Sequence, residues 1–258
     1  MTTNNDDTQR PTPWTRPGFI ISAVVIAFIV IAGIIIAIAT HHTTTPTPGV
    51  AGPTIATPAP TTTASNSGTD SVCGLSAAGP HTPLTAAPSG TTWQLVGKVA
   101  GPSAKNVGPG TVAAKIHSCF AHDANGALYA AANMLSDGLS GEIQPVDLAR
   151  ARLAQGRGYD ATVEQAKASS GDNMPAGTGG TPTYQIAGFT YLNYSDQTAT
   201  IVIVLRSTAG ADAGQFSGAP LTLQWQSGDW KIVPNADGSN TPGYAISDSS
   251  AFIQWSGA

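Results

Sequence analysis

LTLQWQSGDWKIV, Leu221 to Val233, alternates apolar and polar side chains on either side of Ser227-Gly228. Alternation with a period of two marks a strand with one buried face, and a glycine in a two-residue connection marks a tight hairpin. Such a turn sets Gln226 opposite Asp229, Trp225 opposite Trp230 and Leu223 opposite Ile232, with Leu221 on the same face. Slipping the register by one residue sets Trp230 against Gln226 and breaks up that apolar face. The stretch therefore predicts two antiparallel strands whose tryptophans enter a core, with Asp229 consumed by the turn.

Upstream lie two more runs rich in β-branched and aromatic residues, Thr183–Tyr194 and Ala199–Ser207, joined by SDQT. Gly188 inside the first run predicts a bulge, which a curved sheet needs. Before them the pattern has helical period. Leu128, Ala131, Ala132 and Leu135 fall on one face of a helix over 123–139, capped by Asp123 and ended by Gly138. Weaker helices are predicted over 145–155, opened by Pro145, and 160–169, capped by Asp160. Arg150, Arg152 and Arg157 near their junction read as solvated helix ends. Three helices followed by a curved four-stranded antiparallel meander make an α+β domain over 123–258, with Leu128, Leu135, Leu223, Trp225, Trp230 and Ile232 in its core. The tail ISDSSAFIQWSGA is expected to dock through Phe252, Ile253 and Trp255.

Residues 71–122 are loop-rich, with one short strand in TTWQLVGKVA anchored by Trp93. The chain's two cysteines, Cys73 and Cys119, flank this segment, and an even count in an exported domain predicts one disulfide. The rival reading, a metal site from His117, Cys119 and His122, has no common zinc spacing and no fourth ligand nearby, so no metal is assigned.

The N-terminal third is unlike the rest. Phe19–Ala39 is 21 residues without a charge, long enough as a helix to span a bilayer. It exceeds the apolar region of a cleavable signal, although Ala37-Ile38-Ala39 fits a cleavage site and leaves that alternative open. Arg10 and Arg16 precede the run and the next basic residue is Lys98. The positive-inside rule then puts 1–18 in the cytoplasm and everything after the span outside. Residues 40–70, almost wholly Thr, Pro, Ala, Ser and Gly, predict a disordered stalk.

Charge and motifs exclude several functions. A net charge of -4 with no basic stripe argues against direct nucleic-acid contact. No nucleophile elbow or phosphate-cradling loop is present, and GTGGTP lacks the lysine and the following helix. Beyond the stalk the glutamates are Glu142 and Glu164, both read as exposed. Asp196 falls in a turn, and His117 and His122 show no acid partner. The sequence thus predicts no catalytic residues and no cofactor.

SCFAHDANGALYAA, QIAGFTYLNYSDQTATIVIVL and LTLQWQSGDWKIV together resemble the cystatin-like cone shared by ketosteroid isomerase and nuclear transport factor. With a single N-terminal span, the chain is similar to actinobacterial membrane proteins carrying such a domain outside the membrane. It also resembles the bitopic assembly subunits of type IV secretion and conjugation machines. The resemblance covers Cys73 to the C-terminus and implies a non-enzymatic scaffold anchored through 19–39, with protein partners or self-association in the cell envelope. Candidate contacts are the outer sheet face around Tyr191 and Tyr194, and the terminal Phe252 to Trp255, although isolated aromatics usually pack inside their own domain, and that is the favoured reading of each. The alternative is a cone that binds a small ligand or lipid in its mouth.

Overall fold

The computed structural model describes residues 70–170 and 184–257. The apolar run 19–39 and the stalk up to residue 69 lie outside the described residues. Among the described residues no helix is long and apolar enough to cross a membrane. The domain is α+β. In chain order its elements are β1 (Thr92–Val96), β2 (Val99–Ser103), β3 (Thr111–Ala113), β4 (Ile116–Ser118), α1 (Ala124–Leu139), α2 (Pro145–Arg152) and α3 (Tyr159–Ala168). There follow β5 (Tyr184–Tyr194), β6 (Thr198–Ser207), β7 (Phe216–Gln226), β8 (Asp229–Ile232), β9 (Tyr244–Ile246) and β10 (Ile253–Gln254).

The main sheet runs β10-β5-β6-β7-β8, with β9 also paired to β7. Its β7–β8 ladder pairs Leu223 with Ile232, Trp225 with Trp230 and Gln226 with Asp229. That register needs positive φ at both turn residues, and Ser227 has φ 55° and Gly228 φ 76°. β5 carries two register shifts, at Ile186/Gly188 and at Tyr191/Asn193. Each inserts one extra residue and bends the strand, so β5 curves where a regular strand would stay straight.

Helix α1 lies against the concave face. Asp123 accepts from Gly126 N at 2.8 Å and from Gly79 N at 2.8 Å, so one carboxylate both starts the helix and holds the loop before β1. Leu128 and Leu135 share one core cluster with Ile201, Ile203, Leu221, Leu223 and Trp230. The helix is polar and small elsewhere, yet buried there too. Asn133 Nδ2 donates to Pro102 O at 2.8 Å and Ser136 Oγ to Ala100 O at 3.4 Å, so strand β2 covers its far side. Small side chains let that strand approach, and the Asn133 amide and Ser136 hydroxyl donate to its carbonyls.

Several local expectations change. Gly138 does not end α1, which continues to Leu139 and is capped by Ser140, whose hydroxyl donates to Asp137 O at 2.7 Å. α2 stops at Arg152 because Leu153 turns extended and bridges Ile232. Gly158, at φ 87°, caps α3, and Asp160 sits inside its first turn, favourable to the helix dipole. Residues 71–122 hold two hairpins, β1–β2 and β3–β4, where one strand was expected.

Cys73 and Cys119 form a disulfide across a separation of 46 residues. Closing a loop of that length is worth a few kcal/mol through the unfolded chain's entropy. Trp230 is fully buried, and its indole N–H donates to Ala121 O at 3.0 Å. Trp230→Ala should therefore lower the unfolding free energy by about 3–5 kcal/mol, measured by urea titration; an unchanged midpoint would contradict this packing.

Candidate functional site

Among the described residues, two clusters of ionisable groups and the aromatic seat of the C-terminal tail are places where chemistry could reside. The first cluster surrounds Asp229, which is not a turn residue spent on its own hairpin. It is 2% exposed, and its carboxylate accepts from Cys119 N at 3.1 Å, Phe120 N at 3.1 Å and Trp230 N at 3.0 Å. Lys231 Nζ lies 3.4 Å from it and also donates to Ala151 O at 3.0 Å. Arg152 is likewise not solvated: it is 1% exposed, 3.7 Å from Asp229, with its guanidinium 5.4 Å from the Phe120 ring centre. Arg150 and Arg157 are exposed as expected.

None of the Arg152 nitrogens has a hydrogen-bond acceptor among the described residues. Burial lowers its affinity for the proton, while Asp229 and Asp137 pull the other way. His117, expected to lack an acid partner, has one. Its Nδ1 lies 2.6 Å from Asp137 Oδ1, and its backbone N–H donates to Oδ2 at 3.0 Å. Both carboxylates hold backbone as well as side chain. The cluster fastens β4 to α1 through Asp137, and the Cys119 turn and α2 to β8 through Asp229.

The second cluster gathers at the β5–β6 turn. His81 Nδ1 lies 2.6 Å from Asp196 Oδ1, with the side chains 47% and 58% exposed. Tyr194 Oη donates to the same carboxylate at 3.5 Å, and a ring nitrogen of His122 meets the Asp196 carbonyl at 2.5 Å. His122 stacks flat on Trp225, centroids 3.9 Å apart and planes at 7°. Trp225 is therefore half-buried beneath a histidine, while Trp230 takes the core. Asp196 does more than form a turn, since it pins the 77–81 loop to the sheet. The hydrogen bond from His81 holds the Asp196 carboxyl below its usual 3.8, and the same bond raises His81 above 6.5. Among the described residues no group of three His, Cys, Asp or Glu could hold a metal ion.

The aromatic residues named as candidate contacts are drawn inward. Tyr191 and Tyr194 are three apart and would face opposite ways on a regular strand. The shift between Tyr191 and Asn193 puts both on the core face, opposite Ile201 and Ala199. Tyr191 Oη donates to Ala124 O, and burial raises its pKa well above the usual value. Tyr194 packs on Trp230 at 6.1 Å between centroids.

Trp255 is 5% exposed, with its ring 4.9 Å from Trp93, 5.2 Å from Tyr129 and 5.8 Å from Phe189. Its indole N–H donates to Thr91 Oγ1 at 3.1 Å. Phe252 is half-buried and meets Phe216 at 5.3 Å. A depression of about 380 Å³ lies apart from all of these, beside Arg206, Thr208 and Gly214 in the β6–β7 loop.

Residues 53–254 match the model of a family described as a domain of unknown function, DUF8175. No curated protein and no solved structure matches the chain.

The two clusters respond differently to change. Asp229→Asn strands the buried Arg152 and the half-buried Lys231 and should cost about 3–5 kcal/mol, whereas Arg152→Met leaves Asp229 with its lysine and three N–H donors and should cost clearly less. Paired urea titrations check this, and equal losses would contradict it. A raised histidine pKa contributes stability below its unfolded value and loses it as pH rises through the folded value. A depressed carboxyl contributes above its unfolded value and loses it on acidification through the folded one. The His81–Asp196 pair thus acts from the acid limb of Asp196 up to the raised pKa of His81, and weakly because both are exposed. In an NMR titration His81 should titrate above 6.5, and Asp196→Ala should return it towards that value.

Proposed function

The chain belongs to the DUF8175 family, a domain of unknown function, and from its own build we propose a membrane-anchored, non-enzymatic assembly protein working outside the cytoplasmic membrane. The observation that carries this reading is the Cys73–Cys119 disulfide, which fastens the segment arriving from the Thr/Pro-rich stretch to the core of the domain. A disulfide at that point suits an oxidising compartment. The uncharged run at 19–39 and the arginines before it supply an anchor and a direction.

The helix-on-meander arrangement reads as a cystatin-like cone whose mouth is closed from within. Trp230, Tyr129, Phe120 and Phe189 fill the space between α1 and the sheet. That filling favours a scaffold over a small-ligand or lipid carrier. The ionisable groups favour it over an enzyme, because the buried ones grip backbone and the exposed pair staples a loop. Of the machines that use such subunits, type IV secretion and conjugation systems fit best, on the strength of the resemblance and of the single predicted span.

Binding surface remains for partners. Leu95 is 74% exposed and Leu192 62%, both on strands. Photo-crosslinkers at these two positions, in cells making the full chain, should capture a second copy or another envelope protein. Capture of nothing from either position would sink the assembly reading. Protease added to spheroplasts should reach the domain, and protection of it would sink the orientation.

A further inference from the structure

The C-terminal tail behaves as a strand laid into a groove built for it. Cross-strand pairing puts Gly188, Val204 and Gly218 in one row on the outer face of the sheet, away from α1. The two glycines leave that row shallow. A Cβ on Gly188 would run into the Ile253 carbonyl and the Phe252 ring, and one on Gly218 would meet Tyr244 and Ile246. Residues 244–252 cross this row from the β7 edge to the β5 edge, and Val202 and Val204 beneath are buried. Past the crossing, β10 pairs with β5 through Ile253–Phe189 and Gln254–Gly188, and Trp255 N donates to Ala187 O at 3.0 Å. Trp255 then enters its seat beside Trp93, Tyr129 and Phe189. This is strand addition with two aromatic anchors three residues apart, a mode by which folded domains take extended peptides.

The connection into this strand is short. Ile246 lies beside β7 and Ile253 beside β5, on opposite edges of the β7-β6-β5 ladder, so four strand spacings, roughly 19 Å, separate them. The seven residue steps between them could reach about 23 Å if extended. The small excess is taken up by one 3-10 turn over Ser249–Ala251, in a Ser- and Asp-rich segment that is largely exposed, a short hinge of the kind that invites exchange. Opening that turn costs few contacts and carries the strand beyond its own domain.

We infer that Phe252–Gly257 is an exchangeable strand that seats in the β5-edge groove of a second copy of this chain. The exchanged contacts are identical to those within one copy, so the balance depends on the hinge and on local concentration. A short linker gives the tail's own groove an advantage on the order of millimolar effective concentration. Copies crowded on one membrane compete with that advantage. The inference therefore rests on the assembly reading and gives it a mechanism for self-association.

The test uses two full-length copies with different tags, brought to the same membrane. Gly188→Val closes the groove and leaves the tail intact; Trp255→Ala disarms the tail and leaves the groove intact. Wild-type copies should co-purify, each variant alone should lose at least ten-fold of that capture, and the two variants together should recover it. Recovery is the decisive result, since one copy then supplies the strand and the other the seat. Undiminished capture by either variant alone, or no recovery in the mixture, overturns exchange. Monomeric wild type also overturns it, while crosslinks to another envelope protein would leave the assembly reading standing. If a variant melts below the wild type by enough to unfold in the membrane, a peptide of residues 251–257 decides. Added in excess to wild type it should dissolve the complex and a scrambled peptide should not; persistence under the native peptide overturns the inference.

Discussion

The Asp229 carboxylate, 3.1 Å from the amides of both Cys119 and Phe120, is the interaction on which the rest of the domain depends. It sits where the β7–β8 hairpin turns back and reaches the one short segment that joins the disulfide to the start of α1. Cys119 has φ 64°, a conformation unfavourable for a side-chain-bearing residue, and the carboxylate holds it from the amide side. With that turn fixed, Phe120 lies under Arg152, Ala121 offers its carbonyl to Trp230, and Asp123 starts the helix. Four successive features of the chain thus take their positions from one side chain more than 100 residues downstream.

Burying so many charges is costly in water-free surroundings, and the domain limits the cost by using each carboxylate several times. Asp229 takes three amides and two cations, while Asp137 takes an amide and an imidazole. The exception is Arg152, whose attraction to Asp229 and Asp137 is electrostatic rather than hydrogen-bonded. A buried guanidinium on these terms adds little stability. What it does is locate: α2 ends at Arg152, and its neighbour Leu153 bridges β8. The helix pair α2–α3 is thereby fixed in position against the sheet.

Elements with a strong period were legible before any coordinates. The register of Trp225 with Trp230 follows from alternation around Ser227-Gly228, and α1 follows from Leu128, Ala131 and Leu135. Glycine at 188 was enough to place a bulge. The polar contacts were not legible, for a common reason. An aspartate after a glycine has a sufficient local explanation in its turn, so nothing in the residues near 229 pointed to Cys119. His117 and Asp137 are 20 residues apart and belong to different elements, and only the return of β4 against α1 joins them. Tyr191 and Tyr194 share the core face through the second shift in β5, which carries no glycine to announce it. The β1–β2 hairpin was half visible, its second strand hidden by Gly101 and Pro102.

The disulfide also decides how the domain bears a mechanical load. Tension arriving through the chain before Ser71 meets Cys73 almost at once and passes through sulfur to Cys119. From there it enters the Asp229 amide clamp and the sheet. Residues 74–118, including both small hairpins, lie outside that path and carry no force while the bond is intact. A pull on the chain before Ser71 would act on the domain at the Asp229 clamp, and the hairpins could stay folded and available to neighbours under strain.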